Sequence, residues 1–455
     1  MKSLSARALM ACAGLVLAAQ QAAAQYGSPS LLPLPPVTAV DAVTASYDLP
    51  STGVSPYGSV FTSERQETVP SPPPAAGAII PGAEGNTQFQ EAIANEWGAC
   101  DGCAAGCCEP ACGGWFGTAG AIVMGRNRAN PFWTTYETNV NENQVMNTQN
   151  AGVDWQGGWE FTGGYMLGGG GIGCGTGCCG APGCGMPCNS GCGMGPGIAV
   201  TYWGLAPMQG FAEYNSPTNE ISTPINLNQQ FGPLEINGVP MADYYDNAES
   251  HRIYRTDNIN NFEINGLLGA WNYGRLTSVP FLGFRYFRFD ESLAFRGLAG
   301  GGEWSNRDDW AEHQNRMVNN MYGVQFGSFN NYMIGQRWGV FFSPKVGLFG
   351  NQMNGRTQVR DGNGNYLVDD FGNVYDIQAH KNDFSLLGEI DTGVTYFWRP
   401  NVFSYVGYRV IGISNIALSD QQFLIYEADY QGFREINQNG NLILHGVMLG
   451  GGFYF

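Results

Sequence analysis

Charged residues are scarce in this chain of 455 residues, at 13% of the total, about half the ~25% usual for soluble proteins. Basic residues are scarcer still: 21 Lys and Arg stand against 38 Asp and Glu, a formal charge of −17. A phosphate backbone would be repelled by that balance, which excludes a nucleic-acid partner. The shortage of charge also excludes a coiled coil or a long helical array, whose solvent faces need it. Past the N-terminus no apolar run approaches the ~20 residues of a membrane-spanning helix. What the chain does hold is glycine, 66 residues, and aromatics, 13%. Many aromatics, many glycines and few charges suit curved strands with one face toward lipid.

Residues 1–24 read as a cleaved signal peptide, with Lys2 and Arg7 in a basic n-region, Ala8 to Ala19 as the apolar core, and Ala22-Ala23-Ala24 at the cleavage site. Leu9-Met10-Ala11-Cys12 resembles a lipoprotein box, but too little apolar sequence precedes Cys12 for a lipid anchor. Loss of the two basic residues leaves 19 against 38 acids, or −19. Residues 25–95 show no hydrophobic period and are rich in Pro, Ser and Ala, as in Pro70-Ser71-Pro72-Pro73-Pro74. They read as a disordered leader, a plain linker or a tether to the cell wall.

From Trp115 onward apolar and small or polar residues alternate in ten segments: about 115–126, 154–167, 197–208, 260–273, 278–291, 317–331, 336–350, 384–397, 402–414 and 442–455. In the eighth, Leu386, Ile390, Val394, Tyr396 and Trp398 share one parity, and Ser385, Glu389, Asp391 and Thr395 the other. Segments this long exceed the five or six residues of an average soluble strand. Connections are alternately tight, as at Arg399-Pro400-Asn401, and long, at roughly 127–153, 209–259, 292–316, 351–383 and 415–441. These features predict an all-β fold: an antiparallel up-and-down transmembrane β-barrel of about ten strands, within a range of eight to twelve, over 115–455. A hairpin hidden in Glu213–Tyr245 would raise the number. The tight side is expected to face the periplasm, and tags near Gly364 should be reachable from outside the cell while tags near Gly183 should not. The C-terminus places Val447, Leu449, Phe453 and Phe455 on one face, a barrel-insertion signal read from Gly450, Phe453 and Phe455.

Trp115-Phe116-Gly117-Thr118, Thr201-Tyr202-Trp203-Gly204-Leu205, Asp246-Asn247-Ala248-Glu249-Ser250-His251-Arg252 and Gly283-Phe284-Arg285-Tyr286-Phe287-Arg288-Phe289-Asp290-Glu291, after a Cys-rich preface, resemble a planctomycete family of outer-membrane β-barrel porins. The likeness covers about 115–455 and implies a location in a Gram-negative-type outer membrane and a porin-like role. It supplies no catalytic residues.

Twelve cysteines less Cys12 leave eleven. Cys100, Cys103, Cys107, Cys108 and Cys112 fall in a Cys-rich segment, 96–114. Cys174, Cys178, Cys179, Cys184, Cys188 and Cys192 fall in a Cys- and Gly-rich insert, 168–196. An exported, oxidising compartment favours disulfides within and between the clusters over metal or redox chemistry. The odd thiol would be free, or would link a second copy or a cell-wall partner. No metal site is expected. Asp361-Gly362-Asn363-Gly364-Asn365 starts like a calcium loop, but Tyr366 stands where glycine is required and Gly372 where a bidentate Glu is, so it reads as turn sequence. The four histidines, His251, His313, His380 and His445, fall in or beside the long loops with no nucleophile motif, so the chain reads as no enzyme and needs no cofactor.

The inward parity carries Glu160, Glu263, Arg285, Lys345, Glu389, Asp391 and Arg409. Ten strands lie near the filled end of the barrel range. In so narrow a lumen these charges are expected to pair, with Arg409 reaching Glu389 or Asp391. The function expected is therefore porin-like with a narrow or plugged lumen, or a structural or surface-binding barrel. Its expected partners are outer-membrane lipid and the barrel-assembly machinery.

Overall fold

The computed structural model describes residues 114–454 apart from 139–142, 168–194, 217, 219, 230 and 231. The residues read as signal peptide and leader, both cysteine clusters and Phe455 lie outside the described residues. Ten strands form the barrel. They are β1 (Gly114–Arg126), β2 (Gln156–Met166), β3 (Gly197–Leu205, resuming as Met208–Asn215), β4 (Ser250–Leu267, resuming as Trp271–Tyr273) and β5 (Leu276–Leu298). They continue as β6 (Trp310–Met333), β7 (Trp338–Asp361), β8 (Asp376–Arg399), β9 (Val402–Ile416) and β10 (Gly440–Tyr454). Each pairs antiparallel with the next, and β10 returns to β1 from Phe116↔Tyr454 to Arg126↔Leu444, which closes the sheet. Among the described residues no helix is long and apolar enough to cross a membrane.

The alternation read from the sequence locates the strands but not their upper ends. β4 begins at Ser250 rather than about 260, β5 runs to Leu298 rather than 291, and β6 to β8 gain similar lengths at the long-loop end. In these extensions the outward residues turn polar, for example Ser292, Arg316, Gln352 and Asn382, so the apolar outer face stops while the backbone ladder continues. His251, His313 and His380 therefore lie on the extensions of β4, β6 and β8 rather than in loops, and His445 lies on β10 beside one. The stretch Glu213–Tyr245 adds no barrel strand. Met208–Asn215 continues β3 against β4, and the rest forms a two-residue strand, Ile221–Ser222, paired with Tyr136 and Glu137, two minimal hairpins and one helical turn, Ala242–Tyr245. One hairpin turns at Asn237-Gly238, both with positive φ, the geometry that two-residue hairpin loops demand.

Below these extensions the outer wall is apolar. Leu282, Phe284, Val324, Phe326, Val346, Leu348, Leu386, Val406, Val447 and Leu449 are exposed on it. Trp115, Trp338 and Trp398 edge the belt at the short-turn end, and Trp159, Tyr202, Tyr286, Tyr322 and Phe384 edge it at the long-loop end. On β5 the belt runs from Leu276 to Tyr286, close to the ~9–11 residues of a tilted transmembrane strand. On the inner face, packing at the seam relies on small residues. A Cβ at Gly450 would come within 2.5 Å of the Tyr405 hydroxyl, and one at Gly120 within 2.6 Å, so the ring of Tyr405 lies over a surface that only glycine provides. Of the residues read as an insertion signal, Gly450 lines the inner face and Phe453 the outer, where it covers Gly117.

Inside, the core is stacked in layers, and β5 samples each in turn. Phe281 belongs to an apolar layer at the short-turn end with Ala199 and Leu267. Arg285 lies in a charged layer above it. Phe287 and Phe289 join Trp203, Met321, Phe349 and Ile411 in a second apolar layer. Glu291 belongs to a second charged layer. Leu293 and Phe295 pack beneath a cap of loop residues that includes Ile225, Leu234, Tyr245, Tyr375, Phe423 and Phe433.

Candidate functional site in the barrel lumen

The first charged layer brings all seven inward charges together. Arg409 on β9 grips Asp391 on β8, with Nε 2.7 Å from Oδ1 and Nη2 3.1 Å from Oδ2. Its Nη1 donates to Glu160 on β2 at 2.5 Å, and its Nε lies 3.5 Å from Glu389. Lys345 Nζ donates to Glu389 Oε1 at 2.7 Å and lies 3.7 Å from Glu263 and 3.8 Å from Asp391. Arg285 Nη1 lies 2.7 Å from Glu389 Oε2 and 3.6 Å from Glu263. Neutral amides that the charge pattern passed over complete the layer. Asn261, Asn265 and Gln325 all donate to Glu263, at 3.0, 3.2 and 2.8 Å. They share the inward parity, which is the signal that could have found them.

All seven charged residues are at most 7% exposed, and Phe287 and Phe289 above them are 0% exposed. A channel wide enough for water would expose the side chains that line it. The lumen is therefore filled at these two layers. Burial of so many charges is tolerable only because each finds a partner. Four carboxylates face three cations, so the layer holds one carboxylate in excess when all are ionised.

The second charged layer lies beyond the charges that the sequence pattern assigns to the lumen. It joins Arg126 at the end of β1, Arg255 and Asp257 on β4, Glu291 on β5 and Asp420 from the 417–439 loop. Arg255, Asp257 and Asp420 lie in stretches that the alternation reads as loops. Glu291 shares parity with Arg285, which is its signal in the sequence. Arg126 Nη1 donates to both Asp257 and Glu291 at 2.8 Å. Glu291 also accepts from Arg255 and, through Oε2, from the Ser419 amide at 2.7 Å. Asp420 takes the Asn130 amide at 2.9 Å and lies 3.6 Å from Arg255. The layer stands five residues beyond the Tyr286 edge of the belt. Burial pushes Asp257 up to about 6, against the pull of Arg126. Burial, with Glu291 adding to it, pushes Asp420 up to about 6. Burial acts on Glu291 in the same sense, but Arg126 and Arg255 outweigh it and hold the carboxyl down at about 2. The layer thus clamps two loops, through Asn130 and through Ser419 and Asp420, onto the barrel wall.

The histidines take separate roles. His251 sits between the Thr135 hydroxyl at 2.8 Å and the Tyr245 carbonyl at 3.1 Å, and burial lowers it to about 3. His313 Nδ1 lies 3.1 Å from Glu427 Oε1 under the cap, both buried. His380 contacts Asn354, and His445 contacts the Tyr408 hydroxyl. In the calcium-like loop Asp361 Oδ1 accepts the amides of Asn363 and Asn365, each at 2.9 Å, and Asp369 repeats the pattern with Phe371 and Asn373. Its carboxylates are spent on turns. Among the described residues no cluster of His, Cys, Asp or Glu is arranged to hold a metal.

Fold and lumen together define a closed ten-stranded β-barrel whose interior is filled by its own inward side chains. No family model matches the sequence, and no curated protein matches it. Among solved structures the chain is similar to the outer membrane protease OmpT from Escherichia coli, with 11% identity, 75% of this chain and 96% of that chain covered, and a TM-score of 0.34. It is also similar to a major outer membrane protein from Thermus thermophilus, at 10% identity, 75% and 99% coverage and a TM-score of 0.25. A FadL homologue of Pseudomonas aeruginosa gives 8% identity, 75% and 90% coverage and a TM-score of 0.22. At these values none of the three assigns an activity to this chain.

Proposed function

We propose that this chain is an outer-membrane barrel whose lumen is sealed by ion pairs, a structural or surface-binding protein that presents a folded cap of loops outside the cell. The carrying observation is the pair of adjacent layers, seven paired charges beneath Phe287 and Phe289, with next to no exposure. The apolar belt and its aromatic edges support the membrane reading, since lipid replaces water around such a surface. Short turns then face the periplasm, and the cap built on β4 to β8 faces outward. The histidines play no catalytic part in this reading. His313 and Glu427 lie 2% and 1% exposed at their side chains, beyond the reach of a substrate. The lipid of the outer membrane and the machinery that inserts β10 are its partners, and nucleic acid is not.

Planar-bilayer recording of the purified chain tests the proposal. The sealed barrel gives no steady conductance; a steady open channel in the unmodified protein overturns it in favour of a porin. A second reading, a porin-like channel that opens when the plug rearranges, is favoured by one observation: the lower plug consists of ion pairs between wall residues, with one carboxylate in excess. In that case Arg409→Ala conducts while the parent chain does not.

A further inference from the structure

Three arginines stand on the outer wall above the belt. Arg288 on β5 is one outward step past Tyr286, whose ring stacks on Tyr322 at 4.9 Å. Arg316 on β6 and Arg356 on β7 are directly opposed in the ladder. All three point away from the lumen, with side chains 41%, 51% and 45% exposed. Two acids hold them in place. Asp290 accepts from Arg288 at 2.9 Å and from both Nε and Nη2 of Arg316, at 2.9 and 2.8 Å. Asp376 accepts from Nε and Nη2 of Arg356 at 2.6 and 2.8 Å. These forks leave Nη1 of Arg316 and of Arg356 without a hydrogen-bond partner among the described residues. The patch is positive by one charge on a chain of −17. Like charges directly opposed across a ladder destabilise it, and an anion seated between Arg316 and Arg356 would reverse that cost.

We propose that this patch binds the phosphate ester of a membrane lipid with a sugar headgroup. The inference rests on the membrane reading above. Guanidinium forks suit phosphate oxygens, and the fixed forks to Asp290 and Asp376 pre-orient the remaining donors. Height selects the class of lipid. A strand tilted by ~45° climbs roughly 2.3 Å per residue toward the surface. Arg288 then stands about 5 Å above the tyrosines, and Arg316, six residues beyond Tyr322, about 14 Å. A phospholipid headgroup layer is only ~5–8 Å deep. A phosphate carried on sugar units reaches Arg316 and Arg356; one attached directly to glycerol does not.

The test uses the full chain reconstituted in neutral phosphatidylcholine vesicles, with bound lipid counted by native mass spectrometry. The probes are a bisphosphorylated disaccharide lipid, its dephosphorylated form, phosphatidylglycerol and inorganic phosphate. The bisphosphorylated lipid should be retained at least tenfold better than the dephosphorylated form or phosphatidylglycerol. Arg316→Gln with Arg356→Gln should lose that preference, and Asp376→Asn, which frees Arg356, should strengthen it. The Asp376 variant also keeps the test decisive if the double variant fails to fold. Equal retention by the double variant, or of the dephosphorylated lipid, overturns the site. Equal retention of phosphatidylglycerol overturns the sugar assignment, and displacement by inorganic phosphate at equal concentration reduces the patch to an ion site. A chain that fails to insert into neutral vesicles sinks the membrane reading and the site with it. Insertion without retention sinks the site alone.

Discussion

Arg409 and Glu160 meet across the seam of the barrel. They are 249 positions apart in sequence and three strands apart in the sheet, with β10 and β1 between them, and yet Arg409 Nη1 donates to Glu160 Oε2 at 2.5 Å. The same guanidinium holds Asp391 on the neighbouring strand. One side chain therefore ties β9 to both β8 and β2 and bridges the strands where the chain's two ends join.

Arg409→Ala should leave Glu160 and Asp391 buried without their cation. The barrel should lose about 3–5 kcal/mol, the cost of breaking a buried pair from one side. Urea unfolding of the detergent-solubilised chain, followed by heat-modifiable mobility in gels, measures the loss. An unchanged midpoint would show that the pair contributes nothing to the plug.

The upper charged layer sets a pH dependence with two opposed parts. Asp257 and Asp420 sit at about 6, above the ordinary 3.8. Between these values the folded chain binds protons that the unfolded chain does not, so stability rises as pH falls from 7 toward 4. Glu291 sits at about 2, below its ordinary 4.5. Its contribution is whole above 4.5 and is lost as pH falls from there toward 2. A stability maximum near pH 4–5 is expected. Asp420→Asn should raise stability at pH 7 and flatten the rise between 7 and 4. Thermal unfolding across that range checks both, and a parent curve that falls steadily from pH 7 to 5 contradicts the assignment.

Gly450→Val should place carbon against the Tyr405 hydroxyl and the Ala119 carbonyl, 2.5 and 2.6 Å from the new Cβ. The yield of heat-modifiable barrel should drop severalfold. Adding Tyr405→Ala should recover part of it, because one of the two obstacles is then gone. Equal yields for Gly450→Val and the parent would remove the steric account.

Tags at Gly364, on the 362–375 loop, should be labelled on intact cells, whereas tags near Gly183 should be labelled only after the envelope is opened. The reverse pattern would invert the barrel in the membrane.

Strand number, strand order and the facing of residues were legible in the sequence because one face of each strand meets an apolar medium and the other a polar interior. Period two then shows directly, as in Leu386, Ile390 and Val394 against Ser385, Glu389 and Asp391. The same parity named every charge of the lower layer. Tertiary structure alone decided the rest. Above Tyr286 the outward residues of β5 turn polar, as Arg288, Asp290, Ser292 and Arg296 do, while Phe287, Phe289, Leu293 and Phe295 face inward, so the apolar outer face that marks a lipid-facing strand ends, and only the ladder from neighbouring strands shows that β5 continues past 291 to Leu298. Arg255, Asp257 and Asp420 become one cluster with Arg126 and Glu291 only when the 417–439 loop folds into the mouth. That contact joins positions 126, 255, 291 and 420, and no local spacing encodes a meeting made by barrel closure.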